Sequence, residues 1–338
     1  MHQWGKRTRR RIITVSGVAA LATLLVTGCA GPQAAPPPPS GSAGAQASAT
    51  TAPTPSPEAT TPAAQGVAST CDDLLADPAL ADVAGAAEAT ESDGLWSTAA
   101  EAAGGLLCDF RSNDLAGTIV VLPAERAGSV AAEDSATCEP SYDGVECIGT
   151  GTAEDMKVAV AFEASEKSPS TTATVTKLRD AAVVAVLGAD QAPIAAAVAA
   201  PPSCSDLAET IDPAAVLRAE TVYPDPIMEG NLPFDRRVME DAGLVRACDW
   251  SELTDFRELG VVIVPGAADR WNAEAARLGG TRAPIGTADA QQVEGDNEAR
   301  LLVRGVADLI LIEGRTSSAQ RGLGVDDLRA VAEDLLAD

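Results

Sequence analysis

Two pairs of cysteines set in matching frames constrain this chain more than any other feature. Cys71 opens Cys71-Asp72-Asp73-Leu74-Leu75, and Cys204 opens Cys204-Ser205-Asp206-Leu207-Ala208. Asp77-Pro78-Ala79 follows the first and Asp212-Pro213-Ala214 the second. Each copy then reaches a second cysteine before an acid and an aromatic, Cys108-Asp109-Phe110 and Cys248-Asp249-Trp250. A β-branched run ending in proline comes next, Ile119 to Pro123 and Val261 to Pro265, then a further apolar run, Val158 to Phe162 and Leu309 to Ile312. Each copy closes on a helical stripe, Val175, Leu178, Ala182 and Val186 in one, Leu328, Val331 and Leu335 in the other. The shared order reads as a duplication, with insertions in the second copy, most clearly Thr221 to Asp235.

Six cysteines in an exported chain imply three bridges, and six allow fifteen pairings. The repeat selects Cys71–Cys108, Cys204–Cys248 and, by remainder, Cys138–Cys147. The last pair closes a short hairpin around Asp143-Gly144, a dipeptide suited to positive φ. The second copy has Gly295-Asp296-Asn297 at the matching place and no cysteines there. Hairpin turns argue for antiparallel sheets with helices packed on them. The expected fold class is therefore α+β, two tandem related domains, each an antiparallel sheet with packed helices and a disulfide. Each domain reads as a first helix, several strands, a middle helix (Ala267–Leu278 in the second copy) and a last helix. Residues 70–194 make the first domain, 195–202 an Ala/Pro linker and 203–338 the second.

The seventh cysteine gives an address. Residues 1–28 carry Lys6, Arg7, Arg9, Arg10 and Arg11 ahead of an apolar run from Ile12 to Val26, a signal-peptide pattern too short to span a bilayer comfortably. The ending Val26-Thr27-Gly28-Cys29 resembles a bacterial lipobox. That resemblance implies cleavage before Cys29, lipidation of its thiol and attachment to the extracytoplasmic face of the cell membrane, the lipid being the membrane partner. Residues 30–69 are Pro, Ala, Ser, Thr, Gly and Gln with almost nothing else, Glu58 being the one charge. They read as a disordered tether of roughly 35 Å average reach.

The chain carries a net charge of −25. Nucleic acid and anionic head groups are disfavoured partners for such a body. The one histidine is His2, inside the signal segment. With the cysteines paired, the mature chain has no histidine triad, no Cys-His pair and no His-ligated zinc site. No cofactor or metal is expected, and binding is the expected mode of action rather than catalysis. The partner would be another envelope protein, a lipid or glycan, or a small ligand. Two alternatives stand beside it: a cell-wall glycan hydrolase using paired carboxylates, whose side chains would face each other across an open cleft, and the solute-binding component of a transporter.

Cys-x-x-Leu, then Cys-Asp-Phe or Cys-Asp-Trp, then a Val-rich strand, all after a lipobox and a Pro/Ala/Thr tether, resembles the actinobacterial cell-envelope lipoproteins grouped as a domain of unknown function. A more distant similarity is to the extracellular sensor domains of mycobacterial receptor kinases. The resemblance implies a cell-surface α/β sandwich and supplies no catalytic residues. Members usually hold one copy, so two here is a departure.

Asp109 and Asp249 read as turn caps or partners of a nearby base, with a cation site as the sharper option. Phe110 and Trp250 read as core aromatics beside a disulfide. The acidic stretch 289–298 lacks calcium-loop spacing, and Arg321-Gly322-Leu323-Gly324 reads as an entry loop to the last helix. The insertion 221–235 supplies the candidate binding residues Tyr223, Met228 and Phe234, apolar side chains placed in an irregular surface segment.

Overall fold

A computed structural model describes residues 65–90, 94–113, 115–129, 133–141, 144–193, 199–224, 233–316 and 322–337. Cys29, the signal segment, the tether as far as residue 64, Asp143, Met228 and Arg321 lie outside these residues, while Gln65–Val67, read as the end of a disordered tether, form a strand paired with Gln191–Pro193. Residues Thr60–Asp338 fall together into one compact unit.

Each half starts the same way. Strand β1 (Gln65–Val67) leads to helix α1 (Cys71–Leu75), whose N-cap Thr70 accepts from the Asp73 N–H while Asp73 reaches back to Thr70. Helix α5 (Cys204–Ile211) has the same box from Ser203 and Asp206. These hydrogen bonds hold both Asp73 and Asp206 below the usual carboxylate range. Asp77 and Asp212 then cap α2 (Pro78–Ala84) and α6 (Pro213–Leu217), each with proline at its start.

The first half builds a six-stranded antiparallel sheet in the order β2 (Glu88–Thr90), β3 (Leu106–Arg111), β4 (Ala116–Pro123), β7 (Met156–Ala164), β6 (Val145–Ala153), β5 (Ser135–Pro140). The second half repeats that order with β9 (Tyr223–Pro224), β10 (Arg246–Glu252), β11 (Arg257–Val264), β15 (Leu309–Thr316), β14 (Glu298–Arg304) and β13 (Ala290–Glu294), and adds β12 (Thr281–Arg282) at the far edge. Strand β8 (Gln191–Pro193) pairs with β1 outside both sheets. The α+β class and the three bridges Cys71–Cys108, Cys138–Cys147 and Cys204–Cys248 are present as the repeat required.

One face of each sheet is covered by its own helices. Cys108, Phe110, Ile119, Val121, Val158 and Val160 meet α4 (Pro169–Leu187) through Val175, Leu178 and Ala182. Cys248, Trp250, Leu259, Val261, Leu301 and Ile312 meet α9 (Val325–Ala337) through Leu328 and Val331. The opposite faces contribute to a third core that both halves share. Leu107, Val120, Leu122 and Ala159 join Leu302, Leu309 and Val264 there, with Leu95, Ala99 and Ala100 of α3 (Gly94–Ala102) and Phe234, Val238 and Met239 of α7 (Phe234–Asp241) between them. The packing is reciprocal: α3 touches β11 and α7 touches β4. Polar clasps ring this core. Thr98 Oγ1 donates to the buried Glu274 (2.6 Å), Arg270 pairs with Glu101 (2.8 Å), and Arg237 pairs with Glu146.

Three sequence readings change here. Helices α3 and α7, just before the second cysteine of each copy, were not in the expected element list. The insertion assigned to 221–235 begins later than expected, because Tyr223–Pro224 occupies the sheet edge that Glu88–Thr90 occupies in the first half. A middle helix exists in the second half, as a 3-10 turn at Ala268–Arg270 running into α8 (Trp271–Leu278); in the first half the described residues after β4 hold only a 3-10 turn at Ala124–Arg126.

Candidate functional site

The two sheets differ most on a single rung. In the first half, Asp109 pairs with Thr118, Thr118 with Ala161, and Ala161 with Ile148 across β3, β4, β7 and β6. The corresponding rung of the second half is Asp249, Gly260, Glu313, Arg300. In the first half the Thr118 hydroxyl donates to Asp109 at 2.6 Å, and Ala161 and Ile148 join the shared core. The second half has Glu313 and Arg300 where the first has Ala161 and Ile148, while the acid at Asp109 and Asp249 is common to both.

A cleft of about 440 Å³ opens there. Its floor is the inner face of the second sheet, with Asp249, Ser251, Glu258, Arg300, Glu313 and Arg315; Gly94, Leu95 and Trp96 of α3, Arg236 of α7 and Arg277 of α8 close over it. Guanidinium and carboxylate groups alternate. Arg236 bonds Glu240 (2.9 Å) and Asp249 (3.0 Å) and stacks over the Trp96 ring at 5.7 Å. Arg315 and Arg300 bond Glu313 at 2.9 and 3.1 Å, and Arg277 bonds Glu274 at 2.9 Å. Gly260 makes room for this: a Cβ there would sit 2.9 Å from Asp249 Oδ1.

Burial raises the Glu313 carboxyl above the usual range; Arg315 and Arg300 oppose the rise, while Glu298 and Asp249 add to it. Burial likewise works against the Arg236 charge, but Glu240 and Asp249 more than compensate and hold it above its ordinary value. The sign for stability follows. A carboxyl raised in the fold binds its proton more tightly there than in the unfolded chain, so stability falls as pH rises from the unfolded value, about 4.3, through the folded one. Glu313→Gln is therefore expected to raise stability at pH 7 relative to wild type and to lose that advantage near pH 4. Urea unfolding at the two pH values checks it; an advantage that is larger at pH 4 would contradict it.

The residues picked from sequence are scattered relative to this cleft. Asp249 is in it. Tyr223 is 46 % exposed on the edge strand beside Ser251. Phe234 is corrected: it is the first residue of α7, 5 % exposed in the shared core rather than part of a surface loop. Met228 lies outside the described residues. Phe110 and Trp250 are buried core aromatics at 2 % and 4 % exposure. Asp289 pairs with Arg282 and Arg304. The Gly324 N–H at the start of α9 donates to Asp327 at 3.0 Å, so that helix terminus is capped from within. Among the described residues no cluster of His, Cys, Asp or Glu is placed to hold a metal ion, and no helix is long and apolar enough to cross a membrane. Arg236, Arg300, Glu313 and Arg315 were missed. The signal available was Glu313 and Arg300 standing where the first half has Ala161 and Ile148, visible only once the strands are in register.

No family model and no curated protein matches the chain. One similar solved structure is the di-domain ARO/CYC StfQ from the steffimycin biosynthetic pathway, at 11% identity over 81% of this chain and 92% of that one. Its TM-score of 0.14 is too low to carry an argument about fold or function.

Proposed function

We propose that this chain is a binding protein of the bacterial cell envelope, lipid-anchored at Cys29 on the extracytoplasmic side, that holds a small polar ligand in the cleft on its second sheet. The observation carrying this reading is the rung Asp249, Gly260, Glu313, Arg300, whose last two positions are charged and line an open cleft where the first half has Ala161 and Ile148 packed into the shared core. Both inner faces contribute to the shared core, and on the second sheet that face also carries the cleft. Each cleft arginine already has a carboxylate partner, so a ligand of large net charge would unbalance the network. A neutral oligosaccharide or a zwitterion instead exchanges water for charge-assisted hydrogen bonds and leaves the ion pairs in place.

Calorimetric titration of the full chain with chitotetraose and with glycylglycine tests this. Saturable binding of one of them is expected, weakened about 10-fold or more by Arg315→Ala, the loss of a hydrogen bond to a charged group. Absence of heat with both probes, or unaltered binding by the variant, counts against the cleft.

The glycan-hydrolase reading gains one observation. Asp249 and Glu313 stand on the same face two strands apart, roughly 10 Å between their backbones, and burial raises the Glu313 carboxyl above its usual range. Against it, each carboxylate is bonded by arginine, which favours charge pairing over proton delivery. Release of reducing ends from chitotetraose, abolished by Asp249→Asn and Glu313→Gln, would decide for hydrolysis.

A further inference from the structure

The turn from β10 to β11 carries a bulky aromatic in a backbone conformation that such residues avoid. Phe256 has φ +54° and is 57 % exposed, and Leu253, at the other side of the same turn, is 52 % exposed. Tyr223, on the edge strand paired with Ser251, is 46 % exposed at the same end of the sheet. These are three of the six large apolar side chains exposed among the described residues, so half of that exposure gathers at one tip. The first half shows the contrast. Its matching turn runs through Ser112 and Asn113 to Leu115, which packs against the core of that half.

The turn is held in this shape from beneath. The Glu252 carboxylate accepts from the backbone N–H groups of Thr254 and Asp255 (2.8 Å to the latter), and Arg257 lies 3.8 Å from Glu252 and 3.3 Å from Asp255. The Asp255 N–H is the largest influence holding Glu252 below its ordinary range. The strain at Phe256 is thus offset by a carboxylate clamp, in which Glu252 and Asp255 share Arg257.

We propose that this tip, Leu253 and Phe256 flanked by Tyr223, is a bilayer-contact element that dips into the head-group boundary of a lipid surface. The choice of lipid over protein rests on the anchor reading at Cys29, which puts the fold beside a bilayer. Two apolar side chains give only marginal membrane binding alone, and a second, weak signal is what a single anchor needs to hold a body in one orientation. The net charge of −25 sets the lipid preference: contact is apolar, so it is strongest on zwitterionic surfaces, and anionic ones repel the body at low salt.

The test uses the mature chain from residue 30, so that neither an acyl chain nor the apolar signal segment contributes and a failure of the anchor reading is not confused with a failure of the tip. Flotation with phosphatidylcholine vesicles is expected to carry a fraction of the protein, independent of salt. Phe256→Gly should lower that fraction several-fold and Leu253→Ser with Phe256→Gly by about 10-fold or more. Glycine accepts φ +54° freely, so an unchanged or raised melting temperature for Phe256→Gly shows that lost flotation is not lost folding. Wild type left entirely in the lipid-free fraction would overturn the proposal. So would Phe256→Gly floating as wild type does, or binding confined to phosphatidylglycerol vesicles and weakened by salt.

Discussion

Phe234→Ala is expected to destabilise the whole folded body by about 3–5 kcal/mol, the usual cost of removing a buried phenylalanine from a core that cannot collapse around the space. The consequence reaches further than the residue's own half. Phe234 opens α7, and its ring sits among Leu95, Ala99 and Leu122 of the first half and Val264, Trp271 and Leu309 of the second. A cavity there removes contacts from both sheets at once. Thermal unfolding followed by calorimetry should therefore show one transition moved down as a unit. If the first half melted at its original temperature while the second melted earlier, the shared core would not couple them, and the description of residues 60–338 as one body would have to be given up.

That coupling was not legible in the sequence, although much of the fold was. The cysteine frames, the acids after them and the β-branched runs carry local and covalent information, and the bridges and the antiparallel α+β class came out of them directly. The rule that apolar residues in an irregular stretch mark a surface failed at Phe234 because α7 is short and its apolar positions Phe234, Val238 and Met239 alternate with Asp235, Arg236, Arg237, Glu240 and Asp241. Against so polar a segment the stripe looks like noise. Its burial is decided by α3, more than a hundred residues earlier, which no local pattern reports. Helix α3 was missed for the opposite reason. Of its buried apolar positions Leu95, Ala99 and Ala100, two are alanines, so the stripe is weakly apolar and does not stand out, yet small side chains let α3 lie close between two sheets. The cleft was hidden in the same way: Glu313, Arg300 and Asp249 are far apart in the chain, and only the register through Gly260 puts them on one rung.

Removing the Cys204–Cys248 bridge by paired serine substitution is expected to cost roughly 4 kcal/mol by the chain-entropy argument for a loop of about 45 residues. Removing Cys71–Cys108 should cost nearly the same, and removing Cys138–Cys147, which closes only a hairpin, roughly 3 kcal/mol. Position in the fold separates them further. The loop closed by Cys204–Cys248 contains α7 and the loop closed by Cys71–Cys108 contains α3, so each long bridge confines one of the two helices that fill the shared core. Cys138 and Cys147 lie directly opposite each other on β5 and β6, remote from either helix in sequence and held by the ladder already. Loss of either long bridge should therefore lower the urea midpoint of a single transition and steepen its slope, because an unfolded chain freed of a large loop exposes more surface. Loss of the hairpin bridge should move the midpoint less and leave the slope nearly unchanged. Equal effects from all three variants would mean that the bridges act locally, on their own strands, and that the helices of the shared core do not depend on them.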